Sequence, residues 1–591
     1  MSPLGVRVEP ALDAQEAHDA AHYRTRVGHS AADHARKEGT SWTGRLAAVS
    51  VVAAILPVAV AVGRAVASDW MAIGDNALFA IRARDVFSEH HPFLGLWSSA
   101  SLTIGQDVNH PGPLLFDALA LPVRLGGDAG LAVGVALINT AAIVGMALVA
   151  RRQAGGRGVV VAMMAAAGLG WTTGSELLFD PWQPHSLLFP VLLFLLLVWA
   201  LVNGDVALLP WAVAVGSFVA QTHIGYVLLV PALGAVGAGA VGVRLWRAWR
   251  VQGDDWPARR RRAQRSLGIA AVVGLAAWSQ PLYEQLFRDG NLSRMASGAG
   301  DTGETLGLGT APRFVADVVA LPPWWGRPSI SETLAADSVR PSLATSLLAL
   351  LVVFGLLVSA GLLARRRGGG AGPSAAATGV IVLVVALLAA AALPITQFGR
   401  YGVADHQVRW LWPMGLFLTF TLTLVLVTAQ RARFAGIGLV AATLVTVTLG
   451  ALALPTMNPG VGPSRDVDAI PAVRSLVRQL EPLRDERGVL FDLEGQRFAE
   501  PYTMPVMSAL QRLDVPFFVD DAGMARQLGP KRAWHPGAEA SVRLSMRERD
   551  AARDIPEGAR RIAFFDGQSA GTFPEYGRIT VALFTEPLDQ R

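Results

Sequence analysis

Eleven long apolar stretches lie within residues 46–455 of this 591-residue chain, and several of the loops between them are short and rich in arginine. A membrane-crossing helix needs about 20 mainly apolar residues to span the hydrocarbon core. Inside that core each backbone N–H and C=O must be paired within the segment or a closed barrel, so long apolar runs fold as helices. The stretches are 46–67, 129–150, 157–172, 186–202, 206–222, 224–245, 267–286, 343–364, 376–396, 408–428 and 434–455. Only 16% of the residues are charged and the mean hydropathy is +0.39, where a soluble protein carries roughly a quarter charged residues. The deficit is confined to this region, because 1–45 and 456–591 have ordinary soluble composition. The sequence predicts a polytopic α-helical membrane protein of about 11 transmembrane helices with a soluble α/β domain at its C-terminus.

Loop charge orients such a bundle, because cytoplasmic loops concentrate Lys and Arg. Four loops are basic: Arg151 to Arg157, Arg244 to Arg265 with four consecutive arginines from Arg259, Arg365 to Arg367, and Arg431 to Arg433. All four fall on one side, with the basic N-terminus, if the segment Pro111–Arg124 does not cross. That segment is about 14 residues long and bounded by prolines and a Gly-Gly pair, which is too short for a span and suits a helix at the interface. The expected topology puts the tail 1–45 in the cytoplasm and 456–591 outside. The outer face also receives 68–128, 173–185, 287–342 and 397–407. The protein is expected in the plasma membrane, with its working surface external.

The polar N-terminal stretch lacks the early apolar core of a cleaved signal peptide. Its histidines (His18, His22, His29, His34) are irregularly spaced and suit a solvated tail better than a metal tract. The chain has no cysteine, which excludes disulfides and thiolate chemistry. Its net charge of +5 is carried almost wholly by arginine in short loops, which assigns it to topology and not to nucleic-acid binding. In the tail domain, Val467–Leu483 and Tyr502–Leu513 read as helices. Gly488–Leu493, Val515–Val519, Ile562–Phe565 and Ile579–Phe584 read as strands. No phosphate loop, zinc spacing or nucleophile elbow accompanies them. Asp520-Asp521 reads as a strand-end turn in preference to a cation site.

Polar residues at the edge of the membrane are expensive and mark function when paired or set in a wet cavity. Asp75 follows the first span directly, where an acid can serve as interface cap or as catalytic group. Asp107 and His110 lie in the stretch Gly105–Leu115, where Pro111 and Pro113 suit a turn into a helix and His110 can cap or can meet a phosphate. Asp180 and His185 lie within the stretch Phe179-Asp180-Pro181-Trp182-Gln183-Pro184-His185 between two spans. Gln221-Thr222-His223 sits between two apolar runs with almost no loop, and Glu284 lies at the outer end of a span. Arg400, in Gln397–Tyr401, and Arg409, with His406 between them, oppose the positive-inside trend. An anionic ligand accounts for them through charge-assisted hydrogen bonds, and interfacial snorkelling is the alternative.

This pattern resembles the GT-C superfamily of membrane glycosyltransferases, in its protein-mannosyltransferase and aminoarabinose-transferase branch. Three features carry the resemblance: Asp75 after the first span, a His-Pro-x-Pro-Leu motif at His110–Leu114, and an outer soluble domain after the last span. The FDPWQPH, QTHIGY and WSQPLYEQL segments are similar to actinobacterial members of the group. Two departures stand out: Asn76 where a second acid is usual, and Gly112 where a second proline is usual. The resemblance implies a polyprenyl-phosphate-linked sugar donor and an envelope glycan, lipid or protein acceptor. It implies Asp75 as general base, Arg400, Arg409 and His110 on the leaving phosphate, and Glu284, Asp180 and His223 on sugar or acceptor. His185 and Asp107 join the substrate-binding set. No cofactor is required, and a divalent metal stays open because acid pairs elsewhere in the superfamily can hold one. Two other readings use the same residues: a transporter or flippase of lipid-linked precursors, and a non-catalytic assembly partner.

Overall fold

The computed structural model describes residues 42–251, 256–298, 303–320, 339–368, 370–395, 400–429, 432–455, 468–494, 500–567 and 579–588. The four N-terminal histidines and Gln397–Gly399 lie outside the described residues. Among the described residues, nine helices are long and apolar enough to cross a membrane, and a shorter apolar helix spans Val206–Thr222. The chain is a polytopic helical membrane protein with a C-terminal α/β domain.

Helix α1 (Trp42–Ala67) precedes the short α2 (Asp75–Asp85) and then α3 (Leu114–Thr173). The 60 residues of α3 are not one rod. Left-handed backbone at Gly127 (φ 56) and at Gly155 (φ 61) breaks it twice, and such angles are cheap only for glycine. At the first break the chain doubles back so far that a Cβ on Gly134 would fall 2.6 Å from Leu119 Cδ2. The segment ahead of Gly127 therefore folds back on the helix beyond the break. The two expected spans 129–150 and 157–172 lie beyond it, divided by the second break.

Next come α4 (Leu188–Val202), α5 (Leu209–Thr222), α6 (Leu229–Val251) and α7 (Trp256–Phe287). Helix α4 is apolar around its whole circumference, and every residue from Leu188 to Leu201 is buried. A helix of that composition belongs at the centre of a bundle. By contrast α7 exposes Val272 and Leu275 on its outer face, which suits lipid. Helices α8 (Asn291–Gly298) and α9 (Gly307–Val319) precede α10 (Leu343–Arg366), α11 (Gly372–Ala391), α12 (Leu411–Ala429) and α13 (Ala432–Leu452).

The tail domain contains α14 (Ile470–Arg478), α15 (Thr503–Arg512) and α16 (Ala522–Leu528). Its strands are β1 (Val489–Asp492), β2 (Phe517–Val519), β3 (Val542–Glu548), β4 (Arg560–Phe565) and β5 (Val581–Pro587). They form one sheet in the order β2-β1-β3-β5-β4. β1 runs parallel to β2 and β3, while β5 pairs antiparallel with β3 and β4. Asp521 caps α16, its carboxylate accepting the Met524 N–H at 2.7 Å, so this acid opens a helix just beyond β2.

The tail domain is welded to α2. Phe79 and Ile81 of α2, Phe116 and Leu119 of α3, and Tyr502, Met507 and Leu510 of the tail belong to one buried cluster. Asp85 lies at its edge, completely buried. Arg532 clamps its two oxygens at 2.6 and 2.8 Å, Arg82 donates at 2.8 Å and Gln511 at 2.6 Å. Burial lowers the Arg82 guanidinium to about 10, against the opposing pull of Asp85, so it stays charged at neutral pH. A bidentate arginine–carboxylate pair fixes orientation as well as distance.

Candidate functional site

The His110 loop is held as a ribbon. His110 N–H donates to Leu96 at 2.8 Å, Gly95 N–H donates to His110 at 3.0 Å, and Ser98 N–H donates to Val108 at 2.9 Å. Pro111 and Pro113 then lead into α3. Gly112 between them explains the departure from a double proline. A Cβ there would sit 2.6 Å from Gln221 Cδ and 2.8 Å from Pro281 Cγ. Its N–H also donates to the Gln221 carbonyl at 3.1 Å, which proline could not do. This tight seat brings the loop against the turn between α5 and α6.

His110 and His223 meet at that junction, their rings 4.7 Å apart. His110 is buried and its Nδ1 accepts the Ile224 N–H at 3.1 Å, while His223 Nδ1 accepts the Gly225 N–H at 3.1 Å. Burial pushes the His110 imidazole down to about 3, with the neighbouring His406 adding to the effect. Burial, His110 and His406 hold His223 well below the ordinary range. Both rings are therefore neutral at pH 7, and with Nδ1 accepting, each carries its proton on Nε2.

On the loop before α4, Asp180 and His185 are both fully buried as side chains. One Asp180 oxygen accepts the Trp182 N–H at 3.0 Å and the other faces His185 Nδ1 at 2.9 Å. Trp182 joins this pair to the start of α12. Its ring lies 5.0 Å from His185 and 5.4 Å from His406. The buried Arg409 guanidinium stacks 5.9 Å from Trp182 and 5.6 Å from Trp412. Stacked arginine between aromatic faces keeps a fixed plane for anion recognition. Trp70, in the segment leading to Asp75, packs edge-on against Phe179 at 5.6 Å.

Five of the expected site residues (His110, His223, Asp180, His185 and Arg409) are thus brought into one neighbourhood through Trp182 and His406. The others sit elsewhere. Asp75 is exposed and opens α2. Asp107 pairs with Arg526 of the tail and accepts the Trp97 indole N–H at 3.1 Å, so it bridges the outer loop to the tail domain. Glu284 is buried and accepts the Asn291 N–H at 3.0 Å at the start of α8. Asn291 in turn exchanges hydrogen bonds with the Asn109 backbone at 2.8 and 3.1 Å, so Glu284 reaches His110 only through the loop that carries it. Arg400 is exposed. Sequence reasoning missed the Asp85 clamp, while Gln221, singled out with His223, donates its side-chain amide to Ala277 at 2.8 Å. The spacing of Arg82 and Asp85, one helical turn apart, was the available signal for the clamp. No group of three or more His, Asp or Glu side chains converges as a metal site among the described residues.

No family model and no curated protein matches this chain. Among solved structures, ArnT from Cupriavidus metallidurans bound to undecaprenyl phosphate is similar at 12% identity and a TM-score of 0.41, over 92% of this chain and 98% of that one. The apo state of the same protein covers the same shares at 12% identity, with a TM-score of 0.34.

Proposed function

We propose that this protein transfers a sugar from a polyprenyl-phosphate-linked donor to an envelope glycan, lipid or protein acceptor on the extracytoplasmic face. The observation that carries the reading is the group of donors linked through His406 and Trp182: two imidazoles whose Nδ1 atoms accept backbone N–H groups, leaving Nε2 to donate, and a buried arginine stacked on tryptophan. Such donors suit a phosphate that gains negative charge as the glycosidic C–O bond breaks. The motif resemblance to GT-C glycosyltransferases points the same way.

In this reading the acceptor hydroxyl attacks the anomeric carbon, Asp75 takes its proton, and the polyprenyl phosphate departs with the bonding electrons. A carboxylate suits the role, since the attacking oxygen must lose its proton as the bond forms. Arg409, His110 and His223 hold the leaving phosphate, and the exposed Arg400 joins them when the donor is bound. Glu284 and Asp107 act indirectly, by fixing the His110 loop. In this reading the N-terminus is cytoplasmic and the tail domain lies outside, the orientation that the basic loops favour.

The test is transfer of label from a panel of radiolabelled polyprenyl-phosphate sugars to a cell-wall extract by the purified protein, with Asp75→Asn beside it. Transfer by the parent and its loss in a folded Asp75→Asn protein is the expected result. No transfer and no donor binding across the panel would sink the reading.

A further inference from the structure

The imidazoles of the site divide into two kinds. His110 and His223 each accept a backbone N–H at Nδ1 and so present Nε2–H as a donor. His185 is reversed. The Asp180 carboxylate opposite its Nδ1, at 2.9 Å, can only accept, so the ring proton sits on Nδ1 and the lone pair on Nε2. His185 is 1% exposed, and its Nε2 has no hydrogen-bond partner among the described residues. A second proton at Nε2 would leave an N–H buried with nothing to receive it, beside the Arg409 guanidinium that stacks on the same Trp182 ring. The neutral ring is the form this setting keeps. A buried polar atom without a partner in a well-packed site calls for a functional explanation.

We propose that Asp180 and His185 form a positioning pair whose Nε2 lone pair accepts a hydrogen bond from a hydroxyl of the bound ligand, while Arg409, His110 and His223 take the anionic group beside it. The ligand class this selects is a phosphorylated sugar, which offers a hydroxyl donor and an anion close together. The proposal rests on the glycosyltransferase reading and adds a specificity element to it. Trp182 ties the two halves, since its ring touches His185 and lies under Arg409. Asp180 sets the polarity of the pair. Its other oxygen is fixed by the Trp182 N–H at 3.0 Å. An asparagine at 180 would keep its carbonyl there and turn its amide N–H toward His185 Nδ1. The ring proton would then move to Nε2, and an acceptor would become a donor.

The experiment uses the full-length protein in lipid nanodiscs, labelled with ¹⁵N-histidine. The His185 resonances are assigned by their loss in His185→Gln. The parent is expected to show a protonated Nδ1 and a bare Nε2 at His185, and Asp180→Asn the reverse. Titration with undecaprenyl-phosphate sugars is expected to shift the parent's Nε2 saturably. Affinity for the sugar lipid should fall at least about tenfold in Asp180→Asn, the worth of one well-placed hydrogen bond. Affinity for undecaprenyl phosphate, which lacks the hydroxyls, should stay unchanged. A protonated Nε2 in the parent overturns the proposal, and so does an equal loss for both lipids, which would mark a purely structural pair. If the parent binds neither lipid, the functional reading fails and takes this ligand with it. Binding of the sugar lipid without a response at His185 overturns the positioning pair alone.

Discussion

Two buried polar clusters, around Asp85 and around Asp180, differ in the group each leaves without a hydrogen-bond partner among the described residues, the amide oxygen of Gln511 in the first and the imidazole Nε2 of His185 in the second. Around Asp85 both carboxylate oxygens receive donors, from Arg532, Arg82 and Gln511, and the arginines also reach the Leu528 carbonyl at 2.6 and 3.2 Å. Around Asp180 the carboxylate is likewise engaged, but the histidine it holds leaves Nε2 without a partner among the described residues. The first cluster joins two distant parts of the chain, the second lies where candidate ligand-binding groups converge. A carboxylate held by two arginines fixes a fold, while an unpartnered imidazole beside other donors is a group that a bound molecule can complete.

The comparison can be broken most forcefully at Asp85. Asp85→Ala leaves two buried arginines uncompensated, and removal of one partner of a buried ion pair costs about 3–5 kcal/mol. Thermal unfolding should shift accordingly, and the tail domain should become sensitive to protease. An unchanged melting temperature would mean that the apolar contact with α2 holds the tail by itself. Glu500 offers an intermediate case, a buried carboxylate held by the Tyr502 and Thr503 N–H groups at 2.6 and 3.0 Å. Burial raises it from the ordinary 4.5 to about 7, against the pull of those hydrogen bonds. The folded state therefore binds this proton more tightly than the unfolded one. Its contribution to stability is full below about pH 4.5 and is lost as pH rises through about 7, on the order of 3 kcal/mol in all. Glu500→Gln should flatten that slope in melting temperatures taken across pH, and an unaltered slope would exclude Glu500 as its source.

At the ligand cluster the effects should fall on activity. Arg409→Lys loses the planar fork stacked on Trp182 and Trp412, and transfer should drop about 10²-fold with little change in melting temperature. A large loss of stability in this variant would move Arg409 to the structural side of the comparison. Gly112→Ala pushes a methyl into Gln221 and Pro281. It should cost about 1–3 kcal/mol as an overpacked contact and lower transfer further by displacing His110. Normal activity and stability together would show that the seat can relax.

Sequence patterning reveals the bundle well, because hydropathy is a local property of each segment. Among the described residues each of the eleven apolar stretches lies mostly on helix, and most of the tail elements are readable from periodicity. Strand β3 escapes that reading although Val542, Leu544 and Met546 alternate with polar residues. Its Arg543 and Arg547 make the segment resemble a loop. Breaks within α3 are marked by glycine, but the extent of the reversal at Gly127 depends on packing between Leu119 and Gly134. In the site, the motif residues His110, Asp180, His185, His223 and Arg409 stand out because polar groups are rare beside spans. Their division into donors and acceptors is invisible in sequence, since it depends on which backbone N–H or carboxylate meets each Nδ1. The roles of Asp107 and Glu284 are hidden for the same reason: Arg526 and Asn291 occupy them. The Asp85 clamp joins residues 447 positions apart, beyond anything periodicity can report.

The most direct measurement is the thermal stability of the parent and of Arg409→Lys with and without saturating undecaprenyl phosphate. A ligand that binds only the folded state stabilises it by about 2.7 kcal/mol at a hundred times its Kd. The melting temperature of the parent should rise with the lipid, and that of Arg409→Lys should rise far less. An equal rise in both proteins, or none in the parent, would contradict a phosphate-binding role for the cluster around Trp182.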